Sequence, residues 1–302
     1  MKFIAALISA CFILAAEAQH DQRMVKRHGR RGPSATYGPP TATLSSTPTL
    51  VATPTSTPTS GNKTGDSLSV ANGVKRGLSF NDASLTDGFN SGEVSWVYNW
   101  ASSYSGTIPE NVMYFPMLWG GADSYTSVWF DNANAAIANG AEILLGMNEP
   151  DLSSQSNISP QDAATLWKTY MEPYAGKATL ISPAVTNGGA PMGLAWLQQF
   201  FDACTDCTVD ACAIHIYDSA TNVAYYQSYI SGAVSTCGKP VFVTEFGATG
   251  SEEQQQQFLA EMVPWLDSQP GIQGYAWFMD TVGNLVNSDG SLTSLGSTYI
   301  AN

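Results

Sequence analysis

From residue 73 onward, short apolar runs closed by turn residues alternate with longer stretches of helical spacing. The apolar runs cover 76–80, 94–100, 113–119, 143–148, 179–184, 211–217, 240–245 and 274–279, and they predict eight strands. Helices are predicted at 124–139, 159–176, 194–204, 222–237 and 251–268, while the first two connections carry no clear helical signal. Ser159-Pro160-Gln161-Asp162 supplies a capping Ser, a Pro at the first helical position and an acidic first turn. Ser251 followed by Glu252 and Glu253 places negative charge at another positive helix end. Eight buried strands alternating with helices predict an α/β fold, a small (β/α)8 barrel of the TIM type. A doubly wound open sheet is the competing arrangement, and no glycine-rich phosphate loop supports it.

A barrel of this kind carries its active site at the carboxyl ends of the strands. Two predicted strands end in glutamate, in Gly146-Met147-Asn148-Glu149-Pro150 and Val243-Thr244-Glu245-Phe246. A carboxyl group on each of two strands is what a retaining glycosidase needs, one as acid and then base, the other as nucleophile. Glu149 is the expected acid/base, its pKa raised by burial or neighbouring charge, and Glu245 the expected nucleophile. Asn148 is expected to donate its amide to the sugar 2-hydroxyl. Ion pairing is a poor alternative role for either glutamate in a domain so short of cations. His215 and Tyr217 share one face of their strand by the two-residue period and are expected to orient Glu245 or a sugar hydroxyl. Asn81, Asn99, Trp100, Trp119 and Trp277 stand at other strand ends, the three indoles as platforms for a pyranose ring. Trp129, Trp167, Trp196 and Trp265 fall in helical stretches and are assigned to packing.

The rest of the chain adjusts this picture. Residues 1–18 read as a secretory signal, with Lys2, the apolar run 3–16 and the small-x-small site Ala16-Glu17-Ala18. Residues 19–34 form a short basic tail whose Lys26-Arg27 and Arg30-Arg31 are dibasic processing sites or an uncut extension. Residues 35–72 are a Ser/Thr/Pro-rich linker with too little apolar surface to fold. Asn62-Lys63-Thr64 and Asn157-Ile158-Ser159 are N-glycosylation acceptors. Residues 73–302 form the catalytic domain. Lys75, Arg76, Lys168, Lys177 and Lys239 are its five basic residues against 22 Asp and Glu, within a chain of net charge −13. So acidic a surface argues against nucleic acid and anionic membranes as partners and suits a secreted, extracellular or cell-wall setting. Cys204, Cys207, Cys212 and Cys237 are read as two disulfides with three possible pairings, with a zinc site as the sharper alternative. The single histidine of the domain, His215, excludes a multi-histidine metal centre. No metal or cofactor is expected, and a monomer is the default.

Seven ordered motifs carry a family likeness: Lys75-Arg76-Gly77-Leu78-Ser79-Phe80-Asn81, Trp96-Val97-Tyr98-Asn99-Trp100, Phe115-Pro116-Met117-Leu118-Trp119-Gly120, Asn148-Glu149-Pro150-Asp151, His215-Ile216-Tyr217, Thr244-Glu245-Phe246-Gly247 and Ala276-Trp277-Phe278. Across 75–302 the chain resembles glycoside hydrolase family 128, the fungal group with the alkali-sensitive-linkage type of catalytic domain. The resemblance implies a (β/α)8 barrel that hydrolyses β-1,3-glucan with retention, Glu149 as acid/base and Glu245 as nucleophile, in a fungal cell-wall or extracellular setting. Endo action on polysaccharide or oligosaccharide is the expectation. Another β-linked glycan, or a glucan-binding wall protein with little turnover, are the alternatives, since loops set the linkage. Ile216 departs from the family pattern, which has an aromatic between the His and the Tyr; it points away from the chemistry, to the opposite face of its strand.

Overall fold

A computed structural model describes residues 73–90 and 92–301. The predicted signal, basic tail and linker lie outside the described residues. Eight strands, β1 (Arg76–Phe80), β2 (Trp96–Tyr98), β3 (Met113–Tyr114), β4 (Ile143–Leu145), β5 (Thr179–Val185), β6 (Ala211–Ser219), β7 (Val241–Thr249) and β8 (Ile272–Asp280), form one sheet in the order β3-β2-β1-β8-β7-β6-β5-β4. All its pairings are parallel. Between the outer strands β3 and β4 the chain still makes backbone contact: Leu118 N–H donates to Leu145 O at 3.0 Å and Leu145 N–H to Pro116 O at 2.9 Å. The sheet thereby curls into the predicted α/β barrel. The third strand is shorter than the predicted 113–119 because Pro116 has no N–H to give the ladder.

The helices are α1 (Asp123–Ala138), α2 (Pro160–Tyr170), α3 (Leu194–Ala203), α4 (Val223–Cys237), α5 (Glu252–Ser268) and α6 (Ser294–Ile300). Ser159 caps α2 by accepting from Asp162 N–H, and Ser251 with Gln254 forms a reciprocal capping box on α5. No helix joins β2 to β3; residues 99–112 run there as a loop. Among the described residues no helix is long and apolar enough to cross a membrane.

Strand side chains alternate between two cores. Leu78, Val97, Leu144, Leu180, Ile214 and Tyr275 pack outward under the helices, and Ile216 joins them. Trp96, Tyr98, Phe115, Leu145, Ala213 and Phe242 fill the barrel interior. Trp96 stacks on Phe115 at 4.8 Å with ring planes 5° apart. A Cβ at Gly77 would lie 2.2 Å from the Trp96 ring, and one at Gly274 2.5 Å from Phe242, so these glycines give the large rings their room. Trp129, Trp167 and Trp196 are buried beneath the helices, as predicted.

Cys204 is bonded to Cys207 and Cys212 to Cys237, which selects one of the three pairings and leaves no thiolate for zinc. The second bridge ties β6 to the last residue of α4.

Candidate active site

The interior phase of β2, β6 and β7 brings the chemistry to one place. Trp96, Tyr98 and Trp100 follow one another on the interior side of β2 and its extension; Ala213, His215 and Tyr217 do so on β6. On β7 the simple alternation fails. The register against β6 shifts between Ile214 and His215, which pairs His215 with Glu245. That irregularity turns Glu245 inward while Val243 and Phe246 both stay in the outer core.

Glu245 sits in a ring of donors. Trp100 Nε1–H donates to Oε1 at 2.8 Å, and the Tyr217 hydroxyl donates to Oε2. The Tyr98 hydroxyl lies 3.2 Å from Oε1 and 3.1 Å from Thr244 O. These bonds fix both oxygens of the Glu245 side chain in the interior of the barrel.

Glu149 is in a different setting. It leaves β4 with φ 41° and is 8% exposed. His215 Nδ1 stands 2.9 Å from Glu149 Oε1 and 3.5 Å from Glu245 Oε2, while His215 Nε2 meets Thr244 Oγ1 at 3.0 Å. Burial pushes the Glu149 carboxyl above its ordinary pKa; His215 opposes this, and the charges of Glu245 and Asp151 add to it. Burial disfavours the charged imidazole of His215, but Glu245 and Glu149 outweigh it and hold its pKa above the ordinary value. A buried carboxyl whose pKa is raised is suited to hold and donate a proton.

Asp151, in the same Asn-Glu-Pro-Asp run, anchors this turn. It accepts from Thr186 N–H and Oγ1–H, the latter at 2.6 Å, and from Gly193 N–H at 2.8 Å, tying the end of β4 to the end of β5 and the start of α3. The side chain of Asn148 is buried beside Glu149. Its Nδ2 donates to Gln155 Oε1 at 3.3 Å, and Oδ1 is the end left without a partner.

The predicted platforms divide. Trp100 stands in the cluster with its N–H on Glu245. Trp119 is half-buried with its ring 5.0 Å from Tyr125. Trp277 does not reach the cleft: it is 2% exposed, packs edge-on to Phe246 at 5.2 Å and gives its N–H to Asn284 Oδ1 at 3.0 Å. The interior position on β8 is its neighbour Phe278, whose ring lies 5.8 Å from Trp100 and 5.7 Å from Tyr217. Asn99 takes the outward phase and spends its amide on its own loop and on β3. Its Oδ1 accepts from Tyr114 OH at 2.6 Å and from Ala101 N–H, and its Nδ2 donates to Ser103 O at 3.1 Å. Asn81 is exposed at the rim, 3.9 Å from Met279 Sδ. Asp151, Thr244 and Phe278 belong to the site and carry no role in the sequence reading; Tyr98, which the sequence places at the end of its strand beside Asn99 and Trp100, is there as well.

Glu149, His215 and Glu245 offer donor atoms within 4.8 Å of one another, by composition a possible metal set. Their bonding favours protons instead. Both oxygens of Glu245 already accept O–H or N–H donors, and both nitrogens of His215 are engaged. A cation would have to displace these.

Comparison with known proteins agrees with the geometry. The family model for the glycosyl hydrolase catalytic core matches residues 77–299. Alkali-sensitive linkage protein 1 of Schizosaccharomyces pombe is 30% identical over 250 residues, covering 75% of this chain and 44% of the relative. The chain thus spans less than half the length of that relative. Among solved structures, a GH128 subgroup III curdlan-specific exo-β-1,3-glucanase from Blastomyces gilchristii, in complex with glucose, is 43% identical, with a TM-score of 0.72 over 76% of this chain and 98% of the other. A GH128 subgroup II endo-β-1,3-glucanase from Sorangium cellulosum is 31% identical, with a TM-score of 0.64 over 75% and 98%. The chain belongs to glycoside hydrolase family 128.

Proposed function

We propose that this protein hydrolyses β-1,3-glucan with retention of anomeric configuration. The observation that carries the reading is the pair of carboxyl groups, Glu149 and Glu245, gathered around His215 with donor atoms within 4.8 Å of one another. Retaining enzymes hold the two carboxyl groups roughly 5 to 5.5 Å apart, whereas inverting ones leave about 6.5 to 9.5 Å for a water. In the first step the Glu245 carboxylate attacks the anomeric carbon while Glu149 gives its proton to the departing glycosidic oxygen. In the second, Glu149 takes a proton from water, whose oxygen displaces Glu245 from the same carbon. Asn148, next to Glu149, is the proposed partner of the 2-hydroxyl, donating its amide to it.

The β-1,3 linkage rests on the glucanases this chain resembles. Their modes differ, and this bears on the expected endo action. The endo enzyme shares 31% of its residues with this chain, the exo enzyme 43%. The higher identity favours release of glucose from chain ends as a second reading of the mode. Secretion to the cell wall is part of the proposal, supported by the N-terminal signal pattern and by two disulfides. A monomer acting on polysaccharide or oligosaccharide completes it.

Proton NMR of β-1,3-gluco-oligosaccharide digestion tests the chemistry. Early β-anomer, abolished in Glu245→Gln, is the expected result. Early α-anomer would refute retention, and no cleavage of β-1,3-linked substrates would refute the linkage. Glucose as the sole early product identifies exo action, and mixed oligosaccharides identify endo action.

A further inference from the structure

The barrel has a second groove. Where β2 passes to β3 without a helix, the layer around the barrel is open, and a groove of about 620 Å³ lies between that connection and the C-terminal half of α1. Its volume falls within the range of roughly 300 to 1,000 Å³ typical of small-molecule sites. Its walls carry Ser103, Tyr104, Asn111, Asn132 and Asn139, over a floor that includes Ile108 and Met113. None of its lining residues is charged. In a domain with 22 acidic residues, a groove walled by amides, hydroxyls and an aromatic ring is an exception in need of a cause.

The groove is built rather than left over. Tyr114 OH is shared between Asn99 Oδ1 at 2.6 Å and Ala101 O at 2.7 Å, and Asn132 Nδ2 donates to Ser102 Oγ at 2.8 Å. These bonds fix the start of the loop to β3 on one side and to α1 on the other. Tyr104 leans on Tyr114 with ring centroids 4.6 Å apart, yet keeps 39% of its surface exposed. Val128, at 42% exposure, stands one helical turn before Asn132 and extends the same face of α1. An aromatic face with amide and hydroxyl groups around it, and no charge to neutralise, matches a sugar's apolar ring face and its rim of hydroxyls. It does not match a charged peptide, nor the basic 19–34 segment of this chain, for which no carboxylate is present.

We infer that this groove is a second, non-catalytic binding site for a neutral polysaccharide, the β-1,3-glucan of the proposed reaction, which holds the polymer while the cleft acts on it. The inference rests on that reading for the identity of the polymer, though not for the groove's chemistry. The same loop begins with Trp100 on Glu245 and continues to Tyr104 in the groove, so the two sites are joined by four residues of sequence.

The test compares the full chain with Tyr104→Ala and with Ala135→Glu, which places bulk and charge in the groove from an exposed helical position that tolerates Glu. Adsorption to insoluble β-1,3-glucan is measured in the Glu245→Gln background, and kcat/KM on a short soluble oligosaccharide in the active background. Loss of an aromatic contact predicts a fall of roughly three- to tenfold in adsorption, with kcat/KM on the short substrate unchanged. Unchanged adsorption in both variants would overturn the inference. So would an equal fall on polymer and short substrate, because the loop would then be acting only through Trp100. If the wild type cleaves no β-1,3-glucan yet adsorbs to it, and both variants weaken adsorption, the groove stands and the catalytic reading fails.

Discussion

Replacing His215 will move the alkaline limb of the pH profile, in a direction the contacts determine. In the proposed mechanism, activity on that side requires Glu149 to keep its proton. Burial raises the Glu149 pKa, and the His215 hydrogen bond and charge pull it down. His215→Phe removes both opposing influences, so the carboxyl stays protonated to higher pH. A hydrogen bond to a charged partner contributes about 1.5 to 3 kcal/mol. At about 1.4 kcal/mol per pKa unit, the limb should rise by roughly one to two units. His215→Asn keeps an N–H near the position of Nδ1 but cannot carry charge, and should give a smaller rise. The assay is kcat/KM on a soluble oligosaccharide from about pH 4 to about pH 9, which reports groups of the free enzyme. The position of the limb is the readout, because its height will also fall as Thr244 and Glu245 lose a neighbour. An unmoved limb would refute the account of Glu149. A limb that moves down would show that the proton lost at high pH is the imidazolium's own.

Glu149→Gln should lower kcat on oligosaccharides by about 10² to 10⁴, while an aryl glycoside whose leaving group needs no protonation should lose far less in its first step; equal losses on both would contradict the acid role. Trp277→Phe should leave kcat/KM within about twofold and lower stability by about 1 to 3 kcal/mol through the orphaned Asn284 oxygen, whereas Phe278→Leu, which loosens Trp100 and Tyr217, should cost about tenfold in kcat; steady-state kinetics and thermal melts separate the two. Asp280 is buried with neither carboxylate oxygen partnered, and burial together with Asp82 pushes its pKa up to about 7. A carboxyl raised in the folded state penalises folding above its unfolded pKa of about 4. That penalty grows up to pH about 7, so Asp280→Asn should raise the melting temperature at pH 8 and change it little at pH 4.

Apolar runs bounded by turn residues made the eight strands legible, since each must be buried on both faces and cannot hide polar residues. The capping signals at Ser159 and Ser251 placed two helix starts within a residue. α6 escaped because seven residues rich in Ser, Thr and Gly have no amphipathic period to read. At the site, the two glutamates were legible as charges at the ends of apolar runs. Facing was harder. On β8, Trp277 and Phe278 are both aromatic, and composition cannot say which is interior; the pairing of Phe246 with Trp277 and the outward packing of Tyr275 decide it. On β7 the irregular register that turns Glu245 inward is a tertiary property, written in the partner strand as much as in its own.

The catalytic geometry is held against local preference. Glu149, the proposed acid, and Trp100, a donor to the proposed nucleophile, have φ of 41° and 58°, a region non-glycine residues occupy at a cost of about 1 to 3 kcal/mol. Each is held there by neighbours with no chemical step of their own. Glu149 N–H is fixed to Ala184 O at 2.8 Å, and Asp151 locks the turn after it to β5 and α3. Trp100 is followed by Ala101, whose N–H and carbonyl are both taken, by Asn99 and Tyr114. A glycine at either position would relieve the strain and remove the side chain that the reaction needs. The strain therefore has to be carried by the surroundings, and this explains why Asn99 and Asp151, neither of which reaches the reacting atoms, accompany Trp100 and Glu149 in the same short motifs.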